Sequence, residues 1–283
     1  METKMAENPF KVQELLKVVR EGVAKVQSSE AWKVWLDASS KFWKYSFHNQ
    51  MLIRCQRPDA SRVAGYQRWL KFGRQVKKGA TGIRILAPNT VKMPKKDGEK
   101  DDVVSVIRGF RVISVFDISQ TEGKELPEIY HPLRGASIDD LVGKLTSFIT
   151  GHGYTVRIGK TSSADIFGYV NDQKEIVLKE GESPNQQALV LAHEISHAIL
   201  GHVGSLQNRA EKELEAETSA WIICRNLGLR TDETSFVYLA SWVNGPEREK
   251  KLEQAATRAS RVAEQILSGL ESMTNCSLKG DAQ

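Results

Sequence analysis

Cysteine is scarce in this 283-residue chain: Cys55, Cys224 and Cys276 are odd in number, lie far apart and form no CxxC pair. That excludes a disulfide framework and offers no cysteine zinc site, so any metal must be held by histidine and carboxylate. Long apolar runs are absent too. No stretch reaches the roughly 18 to 20 uninterrupted apolar residues a membrane span needs, and the start METKMAENPF has no apolar run leading to a small-residue cleavage site. The expectation is a cytoplasmic protein that does not engage a membrane. Acidic side chains are nearly missing from one segment, 41–84, which holds 11 Lys/Arg and a single acid, Asp59. Such a one-signed stretch favours a polyanionic partner over a protein one.

At 40% hydrophobic and 27% charged, the chain can bury one large core or two modest ones, which excludes disorder as its main character. Its charge is unevenly divided. Residues 1–127 carry 24 Lys/Arg against 14 Asp/Glu, whereas 128–283 carry 16 against 21.

Apolar spacing of three and four predicts helices over 10–27, 31–43, 46–57 and 63–72, the last ending at Gly73. Short β-rich runs follow at 82–87, 103–107 and 110–118, with the lysine-rich stretch 92–102 as a solvated hairpin loop. The segment 120–134, containing Pro127 and Pro132, reads as a connector. Beyond it come a helix over 139–151, strands at 154–158, 168–170 and 175–178, and helices over 183–201, 208–226, 233–243 and 246–270. Ser183, Pro184 and Gln186 supply an N-cap, a first-turn proline and a capping-box partner for the 183–201 helix. The expected organisation is a domain over 8–125, a linker over 126–136, a second domain over 137–270 and a polar tail over 271–283. The expected fold is α+β in two domains: N-terminal helices with a small antiparallel sheet, then a small sheet packed on helices.

Inside the capped helix lies His193-Glu194-Ile195-Ser196-His197, an HExxH. Residues four apart rise about 6 Å along one helix face, so both imidazoles can reach one ion while Glu194 reaches its water. A carboxylate-rich helix follows, with Glu211, Glu213, Glu215 and Glu217 ahead of the apolar run Ala220–Ile223. Glu213 and Glu217 share a face. Glu213 can complete three protein ligands while Glu217 holds a histidine by its other ring nitrogen; Glu215 points elsewhere, and His202 reads as a helix-end residue.

The stretches LAHEISHAILGH and EKELEAETSAW resemble the ImmA/IrrE metallopeptidases, in which HExxH precedes a helix carrying Glu, then Ala at +3 and Asn/Asp at +4. On that pattern Glu213 takes the ligand position and Ala216 the small one, while Glu217 stands where Asn or Asp is commoner. The resemblance implies a gluzincin-like fold and a zinc endopeptidase. The stretch YSFHNQMLIRCQRPDASRVAGYQRWLKFGRQVKKGATGIRILAP, with GFRVISVFDISQTEG, resembles the N-terminal domain of ArdC-type antirestriction proteins. It implies binding to single-stranded DNA and a mobile-element or phage setting.

Residue chemistry points the same way, because 41–72 also holds Phe42, Trp43, Tyr45, Phe47, Tyr66, Trp69 and Phe72. Bases stack on aromatic faces while Lys and Arg track phosphates. Phe42, Trp43 and Phe47 are assigned to the core. The DNA-contact candidates are Lys44, Arg54, Arg57, Arg62, Tyr66, Arg68, Trp69, Arg74, Lys77 and Lys78.

The expected mechanism places one Zn2+ on His193, His197 and Glu213, with Glu194 as general base and Tyr238 as a second donor to the oxyanion. The strand at 175–178 is expected to pair with substrate backbone by its edge. Two alternatives stand beside a peptidase acting on proteins at single-stranded DNA: a non-proteolytic DNA-coating protein, and a regulatory peptidase acting on a repressor.

Overall fold

The computed structural model describes residues 9–25, 29–94, 103–125, 138–163, 165–229 and 247–280. The chain divides into two compact units, one of residues 1–22 with 48–126 and one of 23–47 with 127–283.

In the first unit, α1 (Pro9–Lys25) buries Leu15 and Val19, one turn apart, and α3 (Phe47–Gln56) buries Met51, Leu52 and Ile53. The strands β1 (Val63–Gly65), β4 (Val103–Asp117) and β3 (Ile83–Pro94) form an antiparallel sheet in the order β1-β4-β3. β3 is an edge, and α3 covers it. Asn49 accepts from Leu86 N (2.9 Å) and donates to Leu86 O (2.8 Å), and Gln56 does the same for Arg84 (2.9 and 2.7 Å). Two side-chain amides thus take the place of a neighbouring strand, satisfying groups that would otherwise invite foreign pairing.

Residues 63–72, expected as one helix, divide into β1 and the short α4 (Tyr66–Lys71). Pairing of Val63, Ala64 and Gly65 with Asp117, Phe116 and Val115 decides this, a contact about fifty residues away that no local period reports. The runs 103–107 and 110–118 are one strand, β4, whose register against β3 shifts at Asn89/Thr90. Gly109, at φ 147°, allows this bulge, so a glycine that reads as a break keeps the strand continuous. β2 (Arg74–Val76) pairs with β5 (Thr121–Gly123), placing the start of the expected connector inside this unit.

Asp117 ties the sheet's ends together. Its buried carboxylate accepts from Ser61 N (2.8 Å), Arg62 N (3.0 Å), Ser119 N (3.0 Å) and Ser119 Oγ (2.7 Å), and it caps the 3-10 turn Ile118–Gln120.

In the second unit, α2 (Ser29–Lys41) packs on α7 (Arg209–Leu227) through buried Trp32, Trp35 and Leu36. Asn226 donates to Ser40 O at 3.0 Å. Residues 23–47, expected in the N-terminal domain, therefore belong to this unit, because two tryptophans on one helix face need a large apolar partner. The sheet has the order β6-β8-β7: β6 (Thr155–Gly159) is parallel to β8 (Glu175–Lys179), and β7 (Gly168–Val170) forms an antiparallel hairpin with it. Around it stand α5 (Ile138–Thr150), α6 (Pro184–Leu200), α7 and α8 (Arg248–Gly280). On α8, Leu252, Ala255, Ala256, Ala259, Ala263 and Ile266 form the buried stripe. That helix runs through Gly280, so most of the expected polar tail is helical. The fold is α+β in two units, with a small antiparallel sheet in the first and a small mixed sheet packed on helices in the second. Among the described residues no helix is long and apolar enough to cross a membrane.

Candidate metal centre and nucleic-acid surface

Ser183 caps α6 by accepting from Gln186 N (3.3 Å), Pro184 opens the first turn, and Gly201 ends it in the left-handed conformation at φ 71°. These signals fix the helix's register. Ala188, Leu191, Ala192 and Ile195 are buried, which leaves His193 and His197 on a half-buried face opposite α7. Their Nε2 atoms lie 2.9 Å apart, and Glu213 Oε2 from α7 is 3.6 Å from each. A point equidistant from three atoms so spaced is about 2.0 Å from each, the bond length a divalent ion makes with imidazole and carboxylate. The donor set, two imidazole nitrogens and one carboxylate oxygen, fits a divalent transition metal.

Glu217, one turn beyond Glu213, puts Oε2 3.5 Å from His193 Nδ1. Burial disfavours protonated His193, yet the Glu217 hydrogen bond and the charges of Glu217, Glu194 and Glu213 outweigh it and raise its pKa to about 9. Glu213 is held below the usual carboxylate range by the nearby His197 imidazole, against its burial, and by the charges of His193 and Arg209. Glu194 is buried, and burial pushes its pKa up against the pull of both histidines, while the Val170 backbone N–H bonds to its carboxylate. Three carboxylates and two imidazoles thus converge with opposite tendencies: Glu213 stays ionised and Glu194 is readied to hold a proton.

The β7 hairpin reaches this helix because Gly168 has no side chain. A Cβ there would lie 2.5 Å from Val190 Cγ1, 3.0 Å from Val177 O and 3.6 Å from Glu194 Cγ. β8 is the central strand, bonded on both sides, so the edge pairing expected of 175–178 is ruled out; the edge strands are β6 and β7, and β7 is the one against α6.

Sequence reasoning missed two residues. Glu215 points away from the other glutamates, as expected of a residue two along a helix, but it is buried and faces His202, whose Nε2 lies 3.0 Å from Glu215 Oε2. His202 is buried as well, and its Nδ1 lies 2.8 Å from His197 Nδ1. Burial holds His202 below the usual histidine range, against the pull of Glu215. The available signal was a glutamate set between apolar Leu214 and Ala216, and a histidine just past the helix-ending Gly201. Tyr238 and the helix expected over 233–243 lie outside the described residues, as does the 126–136 linker.

The DNA-contact candidates divide. Trp69 is not available for stacking: it is 1% exposed, and its Nε1 donates to Phe116 O at 2.9 Å, so it is core. Arg74 spends its guanidinium on β5 and the residue after it, donating to Thr121 Oγ1 (2.8 Å), Thr121 O (3.1 Å) and Lys124 O (2.6 Å). Lys44 falls in the second unit, where it pairs with Glu271 at 3.0 Å and lies over the Trp43 ring. Arg54 donates to Pro58 O, Arg57 to Ser119 Oγ while close to Asp59, and Arg62 is half-buried. Tyr66, Arg68, Lys77 and Lys78 are exposed, Lys77 while donating to Ser119 O at 3.0 Å, together with Phe72, over which the Arg68 guanidinium lies at 5.8 Å. Phe42, Trp43 and Phe47 are core, as expected.

With this geometry established, two family matches define the class. Residues 12–116 match the N-terminal domain of anti-restriction factor ArdC, and residues 151–223 match the IrrE N-terminal-like domain of the M78 peptidases. The chain is an ArdC-like protein with a C-terminal M78 domain. Crystal structures of the antirestriction ArdC protein from plasmid R388 share the fold: the metal-free form at TM-score 0.51 and 19% identity, and the Mn(II)-bound form at 0.52 and 22%. Each alignment covers 90% of this chain and 98% or 97% of the R388 chain. An uncharacterized protein of Bacillus anthracis is 27% identical over 75% of this chain, which spans 43% of that protein's length.

Proposed function

We propose that this chain is a DNA-associated, zinc-dependent metallopeptidase with an antirestriction role, hydrolysing peptide bonds of proteins at single-stranded DNA. The observation that carries the reading is the 2.9, 3.6 and 3.6 Å triangle of His193, His197 and Glu213 donor atoms with buried Glu194 beside it. His193, His197 and Glu213 would hold the ion, which supplies an activated water and charge stabilisation for the carbonyl oxygen. Zinc suits this set. Mn(II), present in the R388 protein's second structure, is the alternative.

Glu194 takes the proton of the attacking water at its carboxylate and passes it to the departing amine, a task suited to a carboxyl whose pKa burial has raised. Val170 N–H orients that carboxylate, and Glu217 orients His193. In the first unit, exposed Tyr66 and Phe72 supply stacking faces, and Arg68, Lys77 and Lys78 supply phosphate contacts. The ArdC-type domain supports the DNA and antirestriction parts of the reading.

Glu194→Gln tests it. The substitution should leave bound metal unchanged and abolish hydrolysis and antirestriction together. Loss of hydrolysis with antirestriction intact would instead favour a protein that protects DNA by coating it.

A further inference from the structure

A second polar network lies behind His197. His202 follows Gly201, and the turn holds it tightly: its N–H donates to His197 O at 3.1 Å, and Lys212 Nζ donates to His202 O (3.0 Å) and Ser205 O (2.6 Å). Its ring lies under His197, with centroids 4.9 Å apart. Glu215 Oε1 accepts from Gln207 Nε2 at 2.9 Å, and Glu215 Oε2 faces both His202 Nε2 (3.0 Å) and Arg258 Nε of α8 (3.3 Å). Arg258 also donates to Leu200 O (2.9 Å) and Gln207 Oε1 (3.3 Å), so it bridges the end of α6 to the following loop.

We infer that His202 and Glu215, braced by Arg258, are positioning residues that fix the tautomer and orientation of His197 for metal binding. This rests on the metal-site reading above. If the lone pair of His197 Nε2 is to face an ion, its proton must be on Nδ1, where His202 Nδ1 is the partner at 2.8 Å. His202 must then offer a lone pair at Nδ1 and carry its own proton on Nε2, which donates to Glu215. The carboxylate therefore sets both rings. His193 receives the same service directly from Glu217, so the two metal-facing histidines are held by different devices, one with an imidazole interposed.

A buried His–Glu pair with a half-exposed Arg that merely braces the loop would show the same contacts, and metal affinity separates the two roles. The full chain would be stripped of metal and titrated with Co(II) or Zn(II) against a chromophoric chelator, with melting of the metal-free forms as the fold control. His202→Leu should weaken metal binding about 10- to 100-fold. His202→Asn, whose carbonyl can accept from His197 Nδ1–H, should recover most of that loss, and Glu215→Gln should weaken binding while altering the Co(II) absorption bands. A His202→Leu affinity within about threefold of wild type in a folded chain, or His202→Asn no better than His202→Leu, would overturn the inference and leave the metal site standing. If His202→Leu fails to fold, unchanged affinity and bands in Glu215→Gln would overturn it. Failure of the wild type to bind either ion would remove the metal-site reading and this inference together.

Discussion

Replacing Gly168 by alanine should damage the site from a strand that carries no metal ligand. The added Cβ would lie 2.5 Å from Val190 Cγ1, about 1–1.5 Å inside the usual carbon–carbon separation of about 3.5–4.0 Å. Retreat is blocked on the other side, because Val177 O of β8 is 3.0 Å away and Gly168 is paired with Leu178 in a three-residue strand. Overpacking of this kind costs about 1–3 kcal/mol, a fall of about 2–12 °C in the melting of a unit this size. The clash is mainly with a valine methyl, so Val190→Ala should relieve part of it. The double variant should be more stable than the sum of the singles by about 0.5–1 kcal/mol. Urea or thermal unfolding of the four proteins, followed by tryptophan fluorescence, measures this coupling. Hydrolysis should fall further than stability does, since relieving the Val190 clash shifts β7 against α6 beside Glu194, whose Cγ would be at contact distance, 3.6 Å, from the new Cβ. A neutral Gly168→Ala, or strict additivity with Val190→Ala, would refute the reasoning.

Two further outcomes follow from the fold. A fragment of 126–283 lacks α2, whose Trp32, Trp35 and Leu36 are each 1% exposed in the C-terminal unit. Burial of each contributes about 1.5–3 kcal/mol, together comparable to a domain's whole stability of about 5–15 kcal/mol, so this fragment should show no cooperative melt by circular dichroism; a sharp native-like transition would contradict the account. Asp117 should make the N-terminal unit acid-labile: burial raises its pKa, but the hydrogen bonds from Ser119, Ser61 and Arg62 lower it further than burial raises it. A depressed carboxylate gives stability that is present above its unfolded pKa of about 4 and is lost as pH falls through the folded value. Asp117→Asn should therefore cost about 2–4 kcal/mol near neutrality, with the gap to wild type closing in acid; a gap independent of pH would contradict it.

The legible parts of this protein were those that local chemistry determines. Ser183, Pro184 and Gly201 announce α6 because caps act within a turn, and the i, i+4 spacing of His193 with His197 and of Glu213 with Glu217 places side chains on shared faces. What the sequence conceals depends on distant partners. β1 exists because Val63–Gly65 find β4, and α2 changes unit because its tryptophans find α7. The basic and aromatic content of 41–84 records composition without orientation, so Trp69 in the core and Arg74 bound to β5 look the same on paper as exposed Tyr66 and Arg68. Glu215 faces away from Glu213 on the same helix. Its own partner, His202, comes from a loop whose fold the helical period does not specify.

The most direct test of the central claim is the metal content of the purified full chain, measured by mass spectrometry in wild type, Glu213→Ala and Glu217→Ala. The account expects near-stoichiometric divalent metal in wild type, its collapse in Glu213→Ala, and retention with weakened affinity in Glu217→Ala. A wild type that takes up no divalent metal even when zinc or manganese is supplied, or a Glu213→Ala chain that holds metal as tightly as wild type, would contradict it.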